Sequence, residues 1–288
     1  MVGPPGAGKT MLARRLPGIL PPPSFEEALE ITRVHSVAGI AQGGLASERP
    51  FRTPHHTISS AGLVGGGATP RPGEISLAHR GVLFLDELAE FSRDALEALR
   101  QPLERGCVEV ARGQRSLTFP ADTMLVGACN RCPCAREAEA CSCNAIDHAR
   151  YARRLSAPLL DRIDLVCEVE AAPPPGALAA PGEERSEAVA ARVTAARAHG
   201  ARRLGACGRA ASAAMGGPEA RRFGGLDPAG HARLVEGHDR RGLTGRGQDA
   251  VLRVARTIAD LDGRERVGAR DVDEALSYRI GGAWTIAA

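Results

Sequence analysis

The feature that most constrains the fold lies in residues 1–10, which have the sequence MVGPPGAGKT. This stretch matches the pattern G-x-x-x-x-G-K-S/T of a phosphate-binding loop. Glycines are needed there because consecutive N–H groups must turn inward around a polyphosphate. A Cβ would keep the backbone from coming close enough to the phosphates. A glycine-rich turn that fits the pattern by chance is the alternative. The predicted nucleotide-binding residues of the loop are Gly3, Pro4, Pro5, Gly6, Ala7, Gly8, Lys9 and Thr10.

Within this loop, Lys9 is expected to reach the β- and γ-phosphates and the Thr10 hydroxyl to bind Mg²⁺. A helix should begin at the loop and be terminated by Pro17 and the proline run at 21–23, because proline fixes φ and lacks the N–H that a helix interior requires. A buried strand normally leads into such a loop, yet only Met1 and Val2 precede Gly3. Two interpretations are open: the strand is missing, or the true start of the protein lies upstream.

Composition indicates a soluble protein, in which any contact with nucleic acid must come from local clusters of basic residues. The 37 Lys and Arg against 34 Asp and Glu give a net charge of only +3, so bulk charge does not indicate a nucleic-acid partner. Lys9 is the only lysine of the 288 residues. No apolar run has the length of a membrane span and no signal peptide is evident, which predicts a cytoplasmic protein without membrane contact.

Two apolar runs that end in polar residues are predicted to be neighbouring buried strands. Residues 81–87 are GVLFLDE, which predicts that Asp86 holds Mg²⁺ through water and that Glu87 acts as general base. Residues 124–130 are MLVGACN, and Asn130 at the end of this strand is expected to orient the attacking water. Between them, residues 108–119 alternate around a turn, which predicts a β-hairpin with Arg112 and Arg115 near its tip.

Four of the eight cysteines lie within twelve residues, as two C-x-C pairs. In a reducing compartment, four thiolates brought together can enclose a tetrahedral zinc ion, which would then be structural because no ligand position stays open. Structural Zn²⁺ and free loop thiols are both open interpretations. The residues concerned are Cys132, Cys134, Cys141 and Cys143.

The sequence predicts two domains joined by a linker. Residues 1–170 form the nucleotide-binding α/β domain, 171–185 are rich in Ala, Pro and Gly, and 186–288 carry helical patterns over 186–198, 227–236, 246–261 and 269–278. A third apolar strand is expected at the end of LSAPLLDRIDLV, residues 155–166. The stretch 205–225 predicts no clear element.

The adjacent His55 and His56 favour a hydrogen-bonding loop near the nucleotide or a subunit boundary over a metal site.

With these residues in hand, the chain resembles the magnesium-chelatase-like AAA+ ATPases, and within them the ComM/YifB family. The resemblance covers essentially the whole length. It rests on GPPGAGKTMLARRLPGILPP, RPFRTPHHTISSAGLVGGG, PRPGEISLAHRGVLFLDELAEF, LEALRQPLE, the cysteine loop, LLDRIDL and RVARTIADL.

The resemblance implies an α/β P-loop AAA+ core, with a central parallel sheet flanked by helices, followed by a small all-α lid domain. It further implies a homo-hexameric ring that binds ATP and Mg²⁺ at subunit boundaries. Asn130 matches the sensor 1 position, Arg162 the arginine finger offered to a neighbouring subunit, and Arg246 sensor 2. A finger of this kind accelerates hydrolysis about 10³- to 10⁵-fold. A local ion pair for Arg162 and a solvated helix start for Arg246 are the alternatives.

Relatives of this branch carry an insertion before the Asp-Glu strand, here within residues 65–75, and a hairpin before sensor 1, here 108–119. Both are expected to project into a central pore, which makes Arg71, Arg112 and Arg115 candidate contacts to the DNA backbone. ComM-like proteins ordinarily begin with a domain that resembles Lon protease, and that domain is absent from these residues. Arg131 also replaces the proline usual after the sensor asparagine.

Three hypotheses for function stay open. The first, implied by the resemblance, is an ATP-driven motor on branched or single-stranded DNA in recombination during natural transformation. The second is a chelatase- or chaperone-like ATPase that remodels proteins. The third is a truncated ATP-binding fragment without turnover, motivated by the short segment ahead of Gly3.

Overall fold

The computed structural model describes residues 1–41, 43–67, 70–112, 115–136, 141–171, 184–207 and 211–279. These residues form two compact units. The first contains residues 1–160 and 168–171, and the second contains residues 161–167 and 184–279.

The first unit contains both strands and helices. Its strands are β1 (Phe51–Arg52), β2 (Gly65–Gly66), β3 (Arg71–Pro72), β4 (Val82–Leu85), β5 (Cys107–Arg112), β6 (Arg115–Pro120) and β7 (Met124–Gly127). Its helices are α1 (Lys9–Ile19), α2 (Phe25–Ala38), α3 (Ser60–Val64), α4 (Glu74–Leu77), α5 (Arg93–Ala98), α6 (Arg100–Arg105), α7 (Ala145–Ala152) and α8 (Ala157–Leu160).

A parallel sheet with the strand order β1-β4-β7 organises this unit. All four residues of β4 are buried, as expected of an apolar strand covered on both faces. Leu85 pairs with Gly127, so β4 and β7 end side by side. The predicted hairpin is confirmed as the antiparallel pair β5-β6.

The segment ahead of the phosphate-binding loop extends this sheet. Val2 forms parallel bridges with Cys129 on one side and with Glu168 on the other. The Met1 carbonyl accepts a hydrogen bond from the Cys129 N–H at 3.0 Å, and the Val2 carbonyl accepts one from Val169 at 2.8 Å. These bonds place the loop between β7 and residue 168.

The third apolar strand expected at the end of residues 155–166 does not form there. Residues 163–167 have no strand structure, and the bridge to Val2 is made by Glu168. The reason is that residues 161–167 are held by the second unit. There, Asp164 pairs with Arg253 at 2.8 Å and the Val166 N–H donates to the Tyr278 carbonyl at 2.9 Å.

Proline determines two helix boundaries of this unit. Helix α1 includes Pro17 and ends at Ile19, just before the proline run at 21–23, because a proline this close to the end removes only one helical hydrogen bond. Helices α5 and α6 are separate, since Pro102 cannot donate to the carbonyl four residues before it. Ser24 begins α2 with a capping box.

The second unit is helical in its described residues, and the mixed α/β unit followed by a helical one is the fold class that the sequence predicts. Its helices are α9 (Ser186–Leu204), α10 (Gly217–Phe223), α11 (Pro228–Arg241), α12 (Gly245–Leu261) and α13 (Ala269–Ser277). Helix α10 and two short 3₁₀ turns lie where no clear element was expected, in 205–225. The glycines of this stretch hide its helical pattern.

The core of the second unit is apolar and is built largely around α12 and α13. Its buried residues are Leu204, Met215, Ala220, Leu234, Leu243, Val251, Leu252, Ala255, Ala259, Val267, Val272, Ala275 and Leu276. In the part of the chain that the structure describes, no helix is both long and apolar enough to cross a membrane.

Buried charges in this unit are matched by partners. Arg256 is 1% exposed and donates to the carbonyls of Arg264 and Glu265 and lies 3.0 Å from a carboxylate oxygen of Asp260. Asp271, also 1% exposed, accepts from both terminal nitrogens of Arg264 and from the Gly268 N–H. Burial raises the pKa of Asp271, but the Arg264 and Gly268 hydrogen bonds outweigh it and lower the pKa.

We expect Asp271→Asn to reduce the free energy of unfolding by about 2 kcal/mol at pH 7, because charge-assisted hydrogen bonds of a buried carboxylate are lost. Since the folded-state pKa of Asp271 is lowered, this contribution is present above the ordinary pKa near 4 and disappears as the pH falls through the folded value. Urea unfolding at pH 7 and in acid measures the difference.

The matched control is Asp273→Asn on the same helix, because the Asp273 side chain is 46% exposed and pairs with Arg233. Asp273→Asn should reduce the free energy of unfolding by less than about 1 kcal/mol. Equal losses for the two variants would contradict a special role of the buried carboxylate.

Candidate nucleotide-binding site

The three glycines of the phosphate-binding loop meet two different requirements. Gly6 and Gly8 have φ values of 77° and 81°, the left-handed region in which side chains are disfavoured. Gly3 instead lies against residue 169, and a Cβ added there would stand 2.2 Å from the Val169 carbonyl oxygen. The loop therefore has the backbone that a polyphosphate cradle needs, fixed on one side by the sheet.

Lys9 lies at the centre of the site. Its side chain is largely buried, and its Nζ donates to the Gly3 and Pro4 carbonyls at 2.7 Å each and to Asn130 Oδ1 at 3.1 Å. Burial lowers the pKa of Lys9, and the nearby Asp86 acts in the opposite direction. The ammonium group thus bonds to the carbonyls of the loop itself, where an anionic phosphate is a stronger acceptor.

Thr10 and Asp86 come together although they are 76 positions apart. The Thr10 hydroxyl donates to Asp86 Oδ2 at 2.7 Å, while Asp86 Oδ1 accepts from the Glu87 N–H at 3.0 Å. A hydroxyl and a carboxylate at the first turn of α1 and the end of β4 are the hard oxygen donors that Mg²⁺ prefers. The donor set fits the Mg²⁺ site that the sequence predicts.

Glu87 has a strained backbone and a histidine partner. Its φ and ψ of 51° and 47° are left-handed, a conformation that costs a residue other than glycine about 1 kcal/mol or more. Its Oε2 lies 3.2 Å from His56 Nδ1, and the side chain is 56% exposed. The sequence predicts His56 in a hydrogen-bonding loop near the nucleotide or a subunit boundary, and it does not connect His56 with Glu87. No spacing in the chain indicates that pair.

Asn130 follows the end of β7 and contacts the loop lysine. Besides the Lys9 hydrogen bond of its side chain, its backbone carbonyl accepts from the Tyr151 hydroxyl at 3.3 Å. Tyr151 is buried on α7, and this burial raises the pKa of its hydroxyl. The structure therefore brings Lys9, Thr10, Asp86, Glu87 and Asn130 to one edge of the sheet.

The four neighbouring cysteines form one cluster, whose sulfur atoms all lie within 4.8 Å of one another. Cys132 is buried and its Sγ lies 3.1 Å from Cys134, 3.3 Å from Cys141 and 3.4 Å from Cys143. Four sulfurs bound to zinc at about 2.3 Å are about 3.8 Å apart, so the cluster has nearly the size of a zinc site.

Hydrogen bonding and burial shift the pKa values of two thiols of this cluster in opposite directions. The hydrogen bond from Cys132 lowers the pKa of Cys134 to about 6. Burial raises the pKa of Cys132. His148 on α7 adds a nitrogen 3.9 Å from the Cys141 sulfur. A donor set of thiolates with an imidazole beside it suits zinc and excludes a preference for Mg²⁺.

The two arginines predicted to sense phosphate both lie in the second unit, unlike the other site residues. Arg162 is half-buried, and Arg246 is the exposed second residue of α12. Thr244 caps α12 by accepting from the Gly247 N–H at 3.0 Å and also donates to Asp161 Oδ1 at 3.0 Å. This hydrogen bond ties the residue before Arg162 to the helix start that carries Arg246.

The arginines predicted to contact DNA lie on two antiparallel ribbons of the first unit. Arg71 is exposed on β3, opposite Gly66 of β2. Arg112 and Arg115 pair in register where β5 ends and β6 begins. The residues at the two turns, 68–69 and 113–114, lie outside the described residues. All three arginines stay predictions for DNA contact.

We expect Lys9→Ala to weaken ATP binding at least about tenfold, because the only lysine supplies the charge-assisted bonds to the phosphates. Equilibrium binding of a fluorescent ATP analogue in Mg²⁺ measures the loss. Arg14→Ala on the same helix is the control and should bind as the unsubstituted protein does. Unchanged affinity of Lys9→Ala would contradict the assignment of the phosphate site.

Comparison with known families agrees with this arrangement. Residues 1–175 match the family described as magnesium chelatase, subunit ChlI, and residues 183–279 match its C-terminal family. The first match contains Lys9, Asp86, Glu87, Asn130 and the cysteine cluster.

Individual relatives match over nearly the whole chain. An uncharacterized protein of Mycobacterium tuberculosis is 47% identical over 98% of this chain and 57% of its own length. YifB of Escherichia coli is 43% identical over 97% of the chain and 55% of its own length. The competence protein ComM of Haemophilus influenzae is 41% identical over 96% and 54%. The chain thus spans about half the length of these relatives, and it belongs to the magnesium-chelatase-like AAA+ family that includes YifB and ComM.

Proposed function

We propose that the chain is an ATP hydrolase that couples nucleotide turnover to the remodelling of a macromolecule, as a hexameric motor on branched or single-stranded DNA. The observation that carries the ATPase proposal is the convergence of Lys9, the Thr10–Asp86 pair, Glu87 and Asn130 at one sheet edge. Membership of the AAA+ family supports it. The DNA substrate is supported by the 41% identity to a protein named for competence.

Each residue of the site has a task in hydrolysis. The N–H groups of the loop and Lys9 bind the phosphates, with Lys9 exchanging the Gly3 and Pro4 carbonyls for phosphate oxygens. Thr10 and Asp86 would hold Mg²⁺, which supplies charge neutralisation to the γ-phosphate. Glu87 accepts the proton of the attacking water, for which its carboxylate must turn away from His56. Asn130 orients that water.

The remaining residues extend the proposal to an assembly. We propose that Arg162 reaches the γ-phosphate bound by a neighbouring copy, so that turnover requires a homo-oligomer, and that Arg246 contacts the nucleotide from the second unit. The ribbons that carry Arg71, Arg112 and Arg115 would contact DNA phosphates, which are the same for every sequence and suit stepwise movement.

ATP hydrolysis measured over a range of protein concentrations, with and without branched DNA, tests this proposal. We expect turnover that rises with concentration as copies associate and that DNA stimulates. Glu87→Gln should bind ATP and lose about 100-fold or more in turnover, within the range of general acid–base catalysis. Wild-type turnover in Glu87→Gln would remove Glu87 as the base.

Stimulation by DNA should disappear in Arg112→Ala/Arg115→Ala. The matched control is Arg185→Ala/Arg222→Ala, which removes the same charge from exposed positions of the second unit. Turnover indifferent to DNA would contradict the motor and favour a chelatase- or chaperone-like remodeller of proteins. No turnover at any concentration would favour an ATP-binding fragment.

We also propose that Cys132, Cys134, Cys141 and Cys143 bind one structural Zn²⁺, a proposal supported by the mutual distances of their sulfur atoms. Elemental analysis of protein purified without chelators should find about one zinc per chain, as in closed four-cysteine sites. Cys167→Ser, which removes an exposed thiol elsewhere, should keep this content. A zinc content below about half an equivalent per chain, in both the unsubstituted protein and Cys167→Ser, would favour free thiols.

A further inference from the structure

We propose that the metal bound by the cysteine cluster positions Asn130, so that the cluster governs ATP hydrolysis and not nucleotide binding. This proposal rests on the proposed ATPase and zinc functions. It follows from where the cluster lies: the loop that carries it leaves the end of β7 at Asn130 and returns to Asn130 through α7.

The outgoing end of this loop is short. Only Arg131 separates Asn130 from Cys132, so the two Cα atoms lie within about 7 Å. Cys132 is the buried member of the cluster and the one whose sulfur lies closest to the other three. Fixing Cys132 therefore leaves the backbone of Asn130 little freedom. The ion pair of Arg131 with Glu168 at 3.1 Å also restrains this short segment. It joins exposed side chains, so it contributes little to the stability of the segment.

The returning end is equally direct. Asn144 immediately follows Cys143 and caps α7, accepting from the N–H groups of residues 146 and 147 at 2.9 and 3.0 Å. At the next-to-last position of that helix, Tyr151 donates to the Asn130 carbonyl. His148, on the same helix, lies 3.9 Å from the Cys141 sulfur. A metal bound to the cluster would thus restrain both the start of α7 and Asn130, the residue that Tyr151 of α7 contacts.

Helix α7 is also anchored beyond Tyr151. Arg154 donates to the Ala89 carbonyl at 3.1 Å and pairs with Glu90, both just after Glu87. The Leu88 N–H in turn donates to the Ala128 carbonyl at 2.8 Å. Helix α7 and Arg154 therefore contact the segments that follow β4 and β7, which carry the proposed base and the proposed water-orienting residue.

A bound metal would act here as a cross-link. Cys132 and Cys143 are 11 positions apart, and closing such a loop through four ligands restricts its conformations, as a disulfide does. Without the metal, the sulfur atoms have only weak hydrogen bonds to hold them together. Asn130 would then be held by the Tyr151 hydroxyl, by the Lys9 hydrogen bond to its side chain and by its strand neighbours.

The phosphate-binding loop does not depend on the cluster. Gly3 donates its N–H to the Cys129 carbonyl at 3.3 Å, and the Val2 carbonyl accepts from Val169, so the sheet holds the loop directly. Lys9 has two carbonyl partners besides Asn130. Loss of the metal should therefore leave the phosphate cradle in place while Asn130 moves. A shift of about 1 Å in a positioning group can cost about 100-fold in rate.

The test uses the full chain and the variant Cys141→Ser/Cys143→Ser. We expect zinc to be lost, the affinity for a fluorescent ATP analogue to change less than about threefold, and turnover to fall about 10- to 100-fold. Cys143→His, which keeps four zinc ligands, should retain zinc and most of the turnover. Cys167→Ser is the control for loss of a thiol outside the cluster.

Wild-type turnover in a folded, zinc-free variant would overturn the proposal. So would parallel losses of nucleotide affinity and turnover, which would indicate a general structural role. If the double variant does not fold, the unsubstituted protein is treated with a chelator selective for zinc over Mg²⁺. Turnover should then fall and return when zinc is added, while nucleotide affinity persists.

Amide hydrogen exchange separates this proposal from the proposed ATPase. Exchange of residues 128–131 should accelerate when zinc is removed, whether or not the chain hydrolyses ATP. Unchanged exchange overturns the positioning role, even in a protein without turnover. Absence of turnover in the zinc-bound protein, with accelerated exchange on zinc removal, would instead contradict only the ATPase proposal.

Discussion

The parallel pairing of β4 with β7 is the constraint on which the site depends. Because Leu85 pairs with Gly127, the residues that follow the two strands reach the same edge of the sheet. Asp86 and Glu87 leave one strand there, and Asn130 lies beyond the other. The phosphate-binding loop enters beside them through Met1 and Gly3, which hydrogen-bond to Cys129 on either side of the Val2 bridge. A one-residue shift in this register would turn the side chains of one strand to the opposite face and separate these groups.

Much of this arrangement could be predicted from the sequence because local chemistry fixes it. The spacing of Gly3, Gly6 and Gly8 follows from backbone requirements, and a four-residue apolar run ending in Asp86 is a buried strand ending in a polar residue. The Ser24 capping box is likewise encoded within four residues. Such features need no knowledge of distant contacts.

What could not be predicted depends on long-range partners. His56 meets Glu87 only because the segment after β1 passes the end of β4, and no pattern in residues 53–57 indicates that contact. Residues 165–167 have the apolar character of a strand, yet Asp164 and Val166 find their partners in the helical unit. Local preference is overridden there by tertiary bonds. Arg256 is a similar case, since its burial depends on carbonyls supplied by residues 264 and 265.

The placement of residues 161–167 bears on how two proposed sites are coupled. If Arg162 serves the nucleotide of a neighbouring copy and Arg246 serves that of its own chain, both arginines belong to one compact unit. The hydrogen bond between Thr244 and Asp161 joins their two segments directly. A displacement of Arg246 that accompanies hydrolysis would then carry Arg162 with it. Two sites joined through one compact unit would respond to each other in both directions, because a coupling free energy between binding sites is reciprocal.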